Sequence, residues 1–391
     1  MSRRAANVLP RVAQQCCWTW GAQLAALRAL SSAPAGPSGC VATLASRGVL
    51  QAEGAQTLQF LQGLVTNDVR PLDKAGPGSP PVYASILTPK GKFLHDVFIH
   101  PHPDRKDVFL LDVDRAGSAA AMQLLNRYKL RRPIALTDVS SSFRVAACWG
   151  TEAAPAGPWW RPDPRRHELG FRAVLPAEAG TGAGTADAGE EAYRALRYRC
   201  GVAEGEAEIP TGQAAPLDYN MDELSGVSYT KGCYVGQERN SFTHYRGVIR
   251  KRLMPVRLEP REAGPGPSST AAASLPAAGA EVVDAASGRG VGTIRGAARE
   301  TSGPASSSSS ASSSGSGSGG AVGIAYLRLD VALPAAEGQG PELAVAVAAG
   351  EGGAGTGTGA GAWRVVPVRP GWWPKDWGRE EEAVGQAKET A

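Results

Sequence analysis

Apolar residues recur with two different periods along the first part of the chain. Between residues 53 and 68 they lie three or four positions apart, which predicts an amphipathic helix. Residues 82–87, 93–100 and 108–113 form nearly continuous apolar runs instead, which predict three strands. The first two runs are separated by Thr88-Pro89-Lys90-Gly91-Lys92, a composition typical of a hairpin turn. A second helix is expected from Asp114, as its cap, to about Lys129.

The remaining pattern mixes strands and helices without regular alternation. Strand-like runs occupy 134–139, 143–149 and 171–175, and helical spacing occurs at 190–200 and 237–245. A doubly wound sheet needs alternating strands and helices, so this order predicts the α+β class. Beyond residue 248, short strand-like runs predict a small antiparallel β-barrel as a second unit: 248–258, 281–284, 291–294, 322–329, 343–348 and 363–368.

Composition indicates an N-terminal targeting segment and three low-complexity spacers. The spacers 263–280, 297–320 and 349–362 are rich in Gly, Ser and Ala, and we expect them to be long disordered loops. The N-terminal stretch carries several arginines, whereas the first acidic residue is Glu53, which predicts a mitochondrial transit peptide. An ordinary disordered N-terminus is the alternative. The expected organisation is a transit peptide at 1–38, an α+β region at 39–247, the barrel at 248–370 and a tail at 371–391.

Charge and short motifs exclude several classes of function. The net charge of +4 over 391 residues comes without clustered Lys and Arg on one element, so no nucleic-acid partner is expected. No run of about 20 apolar residues is present, so no membrane association is expected. The glycine-rich sequence at 288–292 lies between short strands, and no phosphate-binding loop motif occurs. The sequence therefore predicts neither a Rossmann nor a P-loop nucleotide site.

The cysteines restrict the possible metal chemistry. They lie at positions 16, 17, 40, 148, 200 and 233; the first two are expected to leave with the transit peptide, and the third with them when cleavage falls just beyond residue 40. No Cys-x-x-Cys or Cys/His pair has ligand spacing, so we expect no self-contained zinc site or four-cysteine cluster site. Cys148 and Cys200 continue apolar strand and helix patterns and are expected in the core. Cys233 remains as the candidate functional thiol.

The surroundings of Cys233 are typical of a displayed thiol. Gly232 and Gly236 permit positive φ or close backbone approach, which predicts a tight turn that presents the sulfur. Lys231 and Arg239 flank it with positive charge, and such surroundings favour the nucleophilic, metal-binding thiolate form of a cysteine. The alternative is a buried cysteine that acts as a small apolar residue in a structural turn.

The octapeptide Lys231-Gly232-Cys233-Tyr234-Val235-Gly236-Gln237-Glu238 resembles the signature of the folate-binding-type iron-sulfur cluster assembly proteins. These are relatives of the glycine-cleavage aminomethyltransferase, or T-protein. Residues 243–253 resemble the mitochondrial branch of the family, and the likeness spans about 42–330. It implies a T-protein-like multi-domain fold with a central cavity, residence in the mitochondrial matrix, and a link to haem biosynthesis. It also implies a role with A-type iron-sulfur carriers in maturing [4Fe-4S] proteins such as aconitase and lipoyl synthase.

The resemblance assigns roles to particular residues. It implies that Cys233 is either a ligand of a [2Fe-2S] cluster shared with a carrier or a redox-active thiol. The hairpin at 89–96 resembles the T-protein stretch whose aspartate lies beside the reactive nitrogen of tetrahydrofolate, and Asp96 is the matching position. Asn67 and Arg246 complete the candidate folate pocket.

One departure from the T-protein pattern argues against folate. T-proteins carry Arg-x-Glu-Ala-Gly, whose glutamate helps to hold the pterin, whereas this chain has Arg197-Tyr198-Arg199-Cys200-Gly201. An unpaired buried donor costs about 1–3 kcal/mol, so replacing that carboxylate with Arg199 should weaken tetrahydrofolate binding. Three hypotheses stand at this point: a cluster assembly factor, a tetrahydrofolate-dependent aminomethyl transferase, and a scaffold in which the cysteine motif is only a turn.

Overall fold

The computed structural model describes residues 39–76, 78–181, 185–261, 274–300, 320–346, 360–375 and 377. These residues form two five-stranded sheets and one closed six-stranded barrel, joined by short helices. The predicted transit peptide at 1–38 and most of the three predicted spacers lie outside the described residues.

The first sheet has the strand order β3-β4-β5-β2-β6, with every neighbouring pair antiparallel. The strands are β2 (Arg47–Glu53), β3 (Val82–Leu87), β4 (Phe93–Pro101), β5 (Val108–Asp114) and β6 (Ala135–Asp138). Helices α1 (Thr57–Gln62) and α2 (Ser118–Lys129) cover one face and complete an apolar core with it. The predicted hairpin of β3 and β4 is confirmed.

Two predicted helix boundaries in this region are wrong. The helix expected over 53–68 is confined to Thr57–Gln62, because Glu53 still pairs in β2 and Val65 forms an isolated bridge to Ile86. Helix α2 starts at Ser118 rather than from Asp114. The Asp114 carboxylate accepts a hydrogen bond from the backbone N–H of Glu206 instead, at 2.8 Å. Long-range pairing therefore overrides the local pattern at both places.

The second sheet has the order β10-β1-β7-β9-β8, antiparallel except between β1 and β10. The strands are β1 (Cys40–Thr43), β7 (Phe143–Trp149), β8 (Trp160–Pro162), β9 (Phe171–Pro176) and β10 (Ala186–Asp187). Cys40, which we expected to leave with the transit peptide, pairs with Trp149 in this sheet. Cys148 is buried as predicted, but Cys200 is only half-buried. The two sheets pack on each other through Val49, Leu110, Val145 and Val174.

Helix α3 (Gly189–Arg199) contacts both β1 and the barrel, and so joins the second sheet to the C-terminal unit. After it come α4 (Gly205–Glu208), the loop that carries Cys233 (residues 229–236, the cysteine loop) and α5 (Gln237–Arg246). Short 3-10 helices occur at Arg70–Lys74, His167–Leu169 and Pro216–Tyr219. Among the helices in the described ranges, none has both the length and the apolar character needed to cross a bilayer.

The predicted antiparallel barrel is confirmed. It consists of β11 (Lys251–Pro260), β12 (Glu281–Asp284), β13 (Gly290–Arg299), β14 (Ala321–Arg328), β15 (Leu343–Ala346) and β16 (Ala360–Pro367), with α6 (Leu329–Ala336) packed beside them. Strand β13 extends to Arg299, so the spacer expected at 297–320 begins inside the barrel. Trp373 and Trp377, in the segment predicted as a tail, are buried in the barrel core because large aromatic rings gain most from leaving water.

Candidate functional site

The cysteine loop directly precedes α5 in the chain and presents its thiol to solvent. The side chain of Cys233 is exposed. Gly232 and Gly236 adopt φ values of +95° and +82°, so the predicted positive-φ glycines are confirmed. Apart from its two chain neighbours, no atom of the described residues lies within 4 Å of the position that a Cβ of Gly232 would take. The space beside this glycine is therefore open.

Lys231 fastens this loop to the end of α1. Its side chain is buried, and Nζ donates hydrogen bonds to the carbonyl oxygens of Gln62 and Val65, both at 2.6 Å. Nζ also lies 5.0 Å from the centre of the Tyr234 ring. Burial lowers the pKa of Lys231 to about 8. Its ammonium group is therefore directed towards the main chain at the end of α1.

Gly236 fastens the other side of the loop to the turn of the β3–β4 hairpin. A Cβ at 236 would clash with the carbonyl oxygen of Thr88 and lie 3.1 Å from Cα of Gly91. A Cβ at 91 would lie 2.9 Å from the carbonyl oxygen of Gly236 and from Cβ of Arg239. The two glycines therefore allow a backbone-to-backbone contact that a larger residue at either position prevents.

Two glycine substitutions separate this contact from backbone strain alone. We expect Gly236→Ala to lower the free energy of unfolding by about 2–4 kcal/mol, because positive φ and the clash with the hairpin add together. Gly232→Ala is the matched control, because it has positive φ but open space, and we expect a loss of about 1 kcal/mol. Urea unfolding of both variants measures the difference, and equal losses would show that the Gly91 contact contributes nothing.

The rest of the octapeptide shapes the start of α5. The N–H of Tyr234 donates to Oε1 of Gln237 at 3.3 Å, and the Tyr234 ring is buried. Glu238 lies exposed in the first turn of α5, where a carboxylate stabilises the positive end of the helix. Asn240 is the buried position of this helix. These residues hold the loop and helix in one arrangement around the exposed Cys233.

The three predicted folate residues differ in their surroundings. Asp96 is buried, and its two carboxylate oxygens accept from Arg47 Nη1 at 2.9 Å and from the N–H of Gly205 at 3.3 Å. The side-chain amide of Asn67 donates to the carbonyl oxygens of Tyr83 and Ser225, at 2.8 and 2.7 Å. The third residue, Arg246, is exposed at the end of α5.

Sequence reasoning missed a buried network of arginines and carboxylates that connects the two sheets to α3 and α4. Asp112 accepts from Nε of Arg47 and Nε of Arg172, both at 2.6 Å. Glu204 forms ion pairs with Arg165 at 2.6 Å and with Arg172 at 3.1 Å. Asp112 and Arg172 are each a charged residue within an otherwise apolar strand, and this sequence pattern could have identified them.

Charge compensation keeps the network ionised. Burial opposes the charge on Asp112, but Arg172 and Arg47 overcome it and hold the pKa of that carboxyl below its ordinary value. Burial likewise opposes the charge on Glu204, and neighbouring arginines, led by Arg172 and Arg165, hold its pKa well below the ordinary value. Asp96 differs, because burial raises its pKa despite the opposing effect of Arg47.

A cavity of about 310 Å³ remains beside the network. Its polar lining includes Ser46, Arg47, Asp114, Arg194, Arg197, Tyr198, Glu204, Glu208 and Arg295. Asp96, Asn67 and Arg246 are absent from this lining. Arg199, the residue that replaces the pterin-binding glutamate of T-proteins, is exposed on α3 and does not face the cavity either.

Cys233 is the one exposed thiol in the described part of the chain. Cys40 and Cys200 are half-buried and Cys148 is buried, and burial raises the pKa of both Cys148 and Cys200 to about 11. Across the described ranges, no group of three or more His, Cys, Asp or Glu side chains is arranged to hold a metal ion.

No protein-family profile matches the chain. The mitochondrial iron-sulfur cluster assembly factor IBA57 homolog of Mycosarcoma maydis is 38% identical over 266 residues, covering 65% of this chain and 63% of that protein. The mitochondrial iron-sulfur cluster assembly factor IBA57 of Mus musculus is 33% identical over 271 residues, covering 64% of this chain and 73% of that protein. The chain belongs to the IBA57 family.

IBA57 membership confirms the resemblance predicted from the octapeptide and the predicted mitochondrial localisation. The match to three fungal IBA57 homologs spans only 54–63% of their length. In fold, the chain is similar to the glycine cleavage system aminomethyltransferase T of Bartonella henselae, with a TM-score of 0.55 and 13% identity over 85% of this chain and 86% of that one. This likeness confirms the predicted T-protein-like fold.

Proposed function

We propose that the protein is a mitochondrial iron-sulfur cluster assembly factor that helps to mature [4Fe-4S] proteins of the aconitase and lipoyl synthase type. The observation that carries the proposal is the exposed thiol of Cys233 on a loop held by Lys231 and Gly236, in a chain of the IBA57 family. A loop clamped at two points keeps a thiol in one position while leaving its sulfur accessible, which suits transfer between proteins better than storage in a core.

In this proposal the cluster is cargo, and Cys233 supplies one of its ligands. A thiol must lose its proton to bind iron, and the remaining ligands of a [2Fe-2S] cluster are then thiolates of an A-type carrier. The other described cysteines are wholly or partly buried, so the remaining ligands of the cluster are assigned to a partner protein. An A-type carrier is the proposed partner. An exposed thiol on a fixed loop also suits redox chemistry, and this is the competing role for Cys233.

The contacts of Asp96 favour cluster assembly over aminomethyl transfer. Both of its carboxylate oxygens already accept hydrogen bonds, from Arg47 and from the N–H of Gly205. A tetrahydrofolate nitrogen would have to compete with these buried partners, and breaking a buried ion pair costs about 3–5 kcal/mol.

A complementation experiment tests the proposed function. Cells depleted of their own IBA57 protein and supplied with this chain are expected to regain aconitase activity, while a matrix enzyme without a cluster stays unchanged. If the chain accumulates in mitochondria and aconitase activity does not recover, the proposed function is wrong. Recovery that depends on added folate instead would favour the aminomethyl transferase.

A further inference from the structure

The exposed large apolar side chains of the described residues are concentrated just after the cysteine loop. Five such side chains are substantially exposed: Leu130 (77%), Tyr245 (66%), Phe242 (63%), Val248 (43%) and Val368 (38%). Phe242, Tyr245 and Val248 fall within one turn of α5 and the two residues after it. We call these three residues the α5 patch. Clustered exposed apolar groups are typical of a surface that another molecule covers.

Tyr245 of the α5 patch packs against two other aromatic rings. Tyr229 stacks on His244 with ring centres 3.7 Å apart and planes 14° from parallel. Tyr245 contacts both rings edge-on, at 4.8 Å from His244 and 5.9 Å from Tyr229. Asn240 faces inward, so Phe242 and Tyr245 are left on the outer side of the helix. Rigid aromatic side chains lose little entropy on binding, which is why they dominate the energetics of protein interfaces.

Basic groups lie on the same helix as the α5 patch and on the neighbouring hairpin turn. Arg239 and Arg246 are exposed on the same helix, seven residues apart, and Lys90 is exposed on the hairpin turn that contacts Gly236. In the part of the chain that the structure describes, no carboxylate forms an ion pair with Arg246 or Lys90. Glu238 is the acidic residue of α5, at the opposite end from Arg246. A surface with an apolar centre and a positive border is complementary to an apolar patch bordered by carboxylates.

The α5 patch is continuous with the cysteine loop. A helix rises about 1.5 Å per residue, so Phe242 and Tyr245 lie about 8 and 12 Å along the axis from Gln237, where the loop ends. A standard protein interface covers about 800 Å² on each partner, which is enough to include Cys233 and the α5 patch together. One partner can therefore contact the thiol and α5 at the same time.

We propose that the α5 patch is the docking surface for the protein that shares a cluster with Cys233, and that this partner meets it with an apolar area bordered by carboxylates. This inference rests on the proposed function and adds where the partner binds. Cys233 supplies the bond to the cluster, whereas Phe242 and Tyr245 supply affinity and Arg246 supplies electrostatic steering.

The test uses the double variant Phe242→Ser, Tyr245→Ser with an A-type carrier loaded with [2Fe-2S]. The dissociation constant is expected to rise by about ten-fold or more, because loss of central aromatic contacts is the costliest change at an interface. At saturating carrier the variant should still form the shared cluster, because Cys233 is intact. Leu130→Ser, an equally exposed apolar residue at the end of α2, is the matched control and should bind as the wild type does.

A charge-reversal variant tests the border of the patch. Arg246→Glu is expected to weaken carrier binding by about three-fold or more at low salt, with the difference shrinking as salt is added. Equal affinity of wild type and the double variant would overturn the proposal, as would a loss of affinity in Leu130→Ser of the same size. Binding to anionic lipid vesicles that requires Phe242, with carrier affinity unchanged, would assign the patch to a membrane and also overturn it.

The outcomes separate this inference from the proposed function. If wild-type protein shares a cluster with the carrier and the double variant does so with the same affinity, only the location of the docking surface is wrong. If wild-type protein neither binds the loaded carrier nor restores aconitase activity in depleted cells, the proposed function fails and this inference fails with it.

Discussion

Cys233→Ser is expected to abolish cluster sharing while leaving the fold intact. A serine hydroxyl is a far weaker ligand for iron than a thiolate, so mixing the variant with [2Fe-2S]-loaded carrier should leave the visible spectrum of the carrier unchanged. Wild-type protein should give a new spectrum. Because the side chain is exposed, the free energy of unfolding should change by no more than about 0.5 kcal/mol.

Cys200→Ser is the control for this experiment. Cys200 is half-buried, and burial raises the pKa of its thiol to about 11, so it should contribute nothing to cluster sharing. In depleted cells we expect Cys233→Ser to fail to restore aconitase activity at normal protein level, and Cys200→Ser to restore it. Full rescue by Cys233→Ser would remove the thiol from the mechanism and leave its loop as a structural turn.

The second large effect is expected at Asp112. Its carboxylate is fully buried between Arg47 and Arg172, with both Nε–O distances at 2.6 Å. Asp112→Asn keeps the shape but removes the charge, which leaves two buried guanidinium groups undercompensated. Breaking a buried ion pair in this way lowers the free energy of unfolding by about 3–5 kcal/mol, which chemical denaturation would measure.

An exposed ion pair provides the comparison for Asp112. Glu53 and Arg105 approach to 2.8 Å but are both close to half exposed, so Glu53→Gln should cost less than about 1 kcal/mol. A loss of similar size in the two variants would mean that the buried network does not hold its arginines in place by charge. Because Asp112 lies in β5, Arg47 in β2 and Arg172 in β9, we also expect Asp112→Asn to loosen the packing of the two sheets.

The network also gives Asp96 a structural role. Asp96 stands where T-proteins place a folate-contacting aspartate, yet Arg47 connects it to Asp112 and so makes it part of the structural core. Burial and pairing of a charge depend on which strands meet, and no local pattern records this.

The sequence by itself determined the features that depend on local spacing. Alternating and continuous apolar runs located the β3–β4 hairpin and all six barrel strands, because side chains in a strand alternate between two faces. Gly232 and Gly236 identified the positive-φ turn, because residues with a Cβ rarely adopt that conformation. The octapeptide around Cys233 was sufficient to identify the family.

The tertiary structure decided whatever depends on contacts between distant residues. It ended α1 at Gln62, because Val65 was recruited to a bridge with Ile86. It turned Lys231 from a neighbour of the thiol into an anchor for carbonyl oxygens more than 160 positions earlier in the chain. It also placed Phe242 and Tyr245 in solvent, because Asn240 took the inward position of α5. Hydrophobic spacing predicts elements, but pairing partners, burial of charge and the free faces of helices are set only when those elements pack.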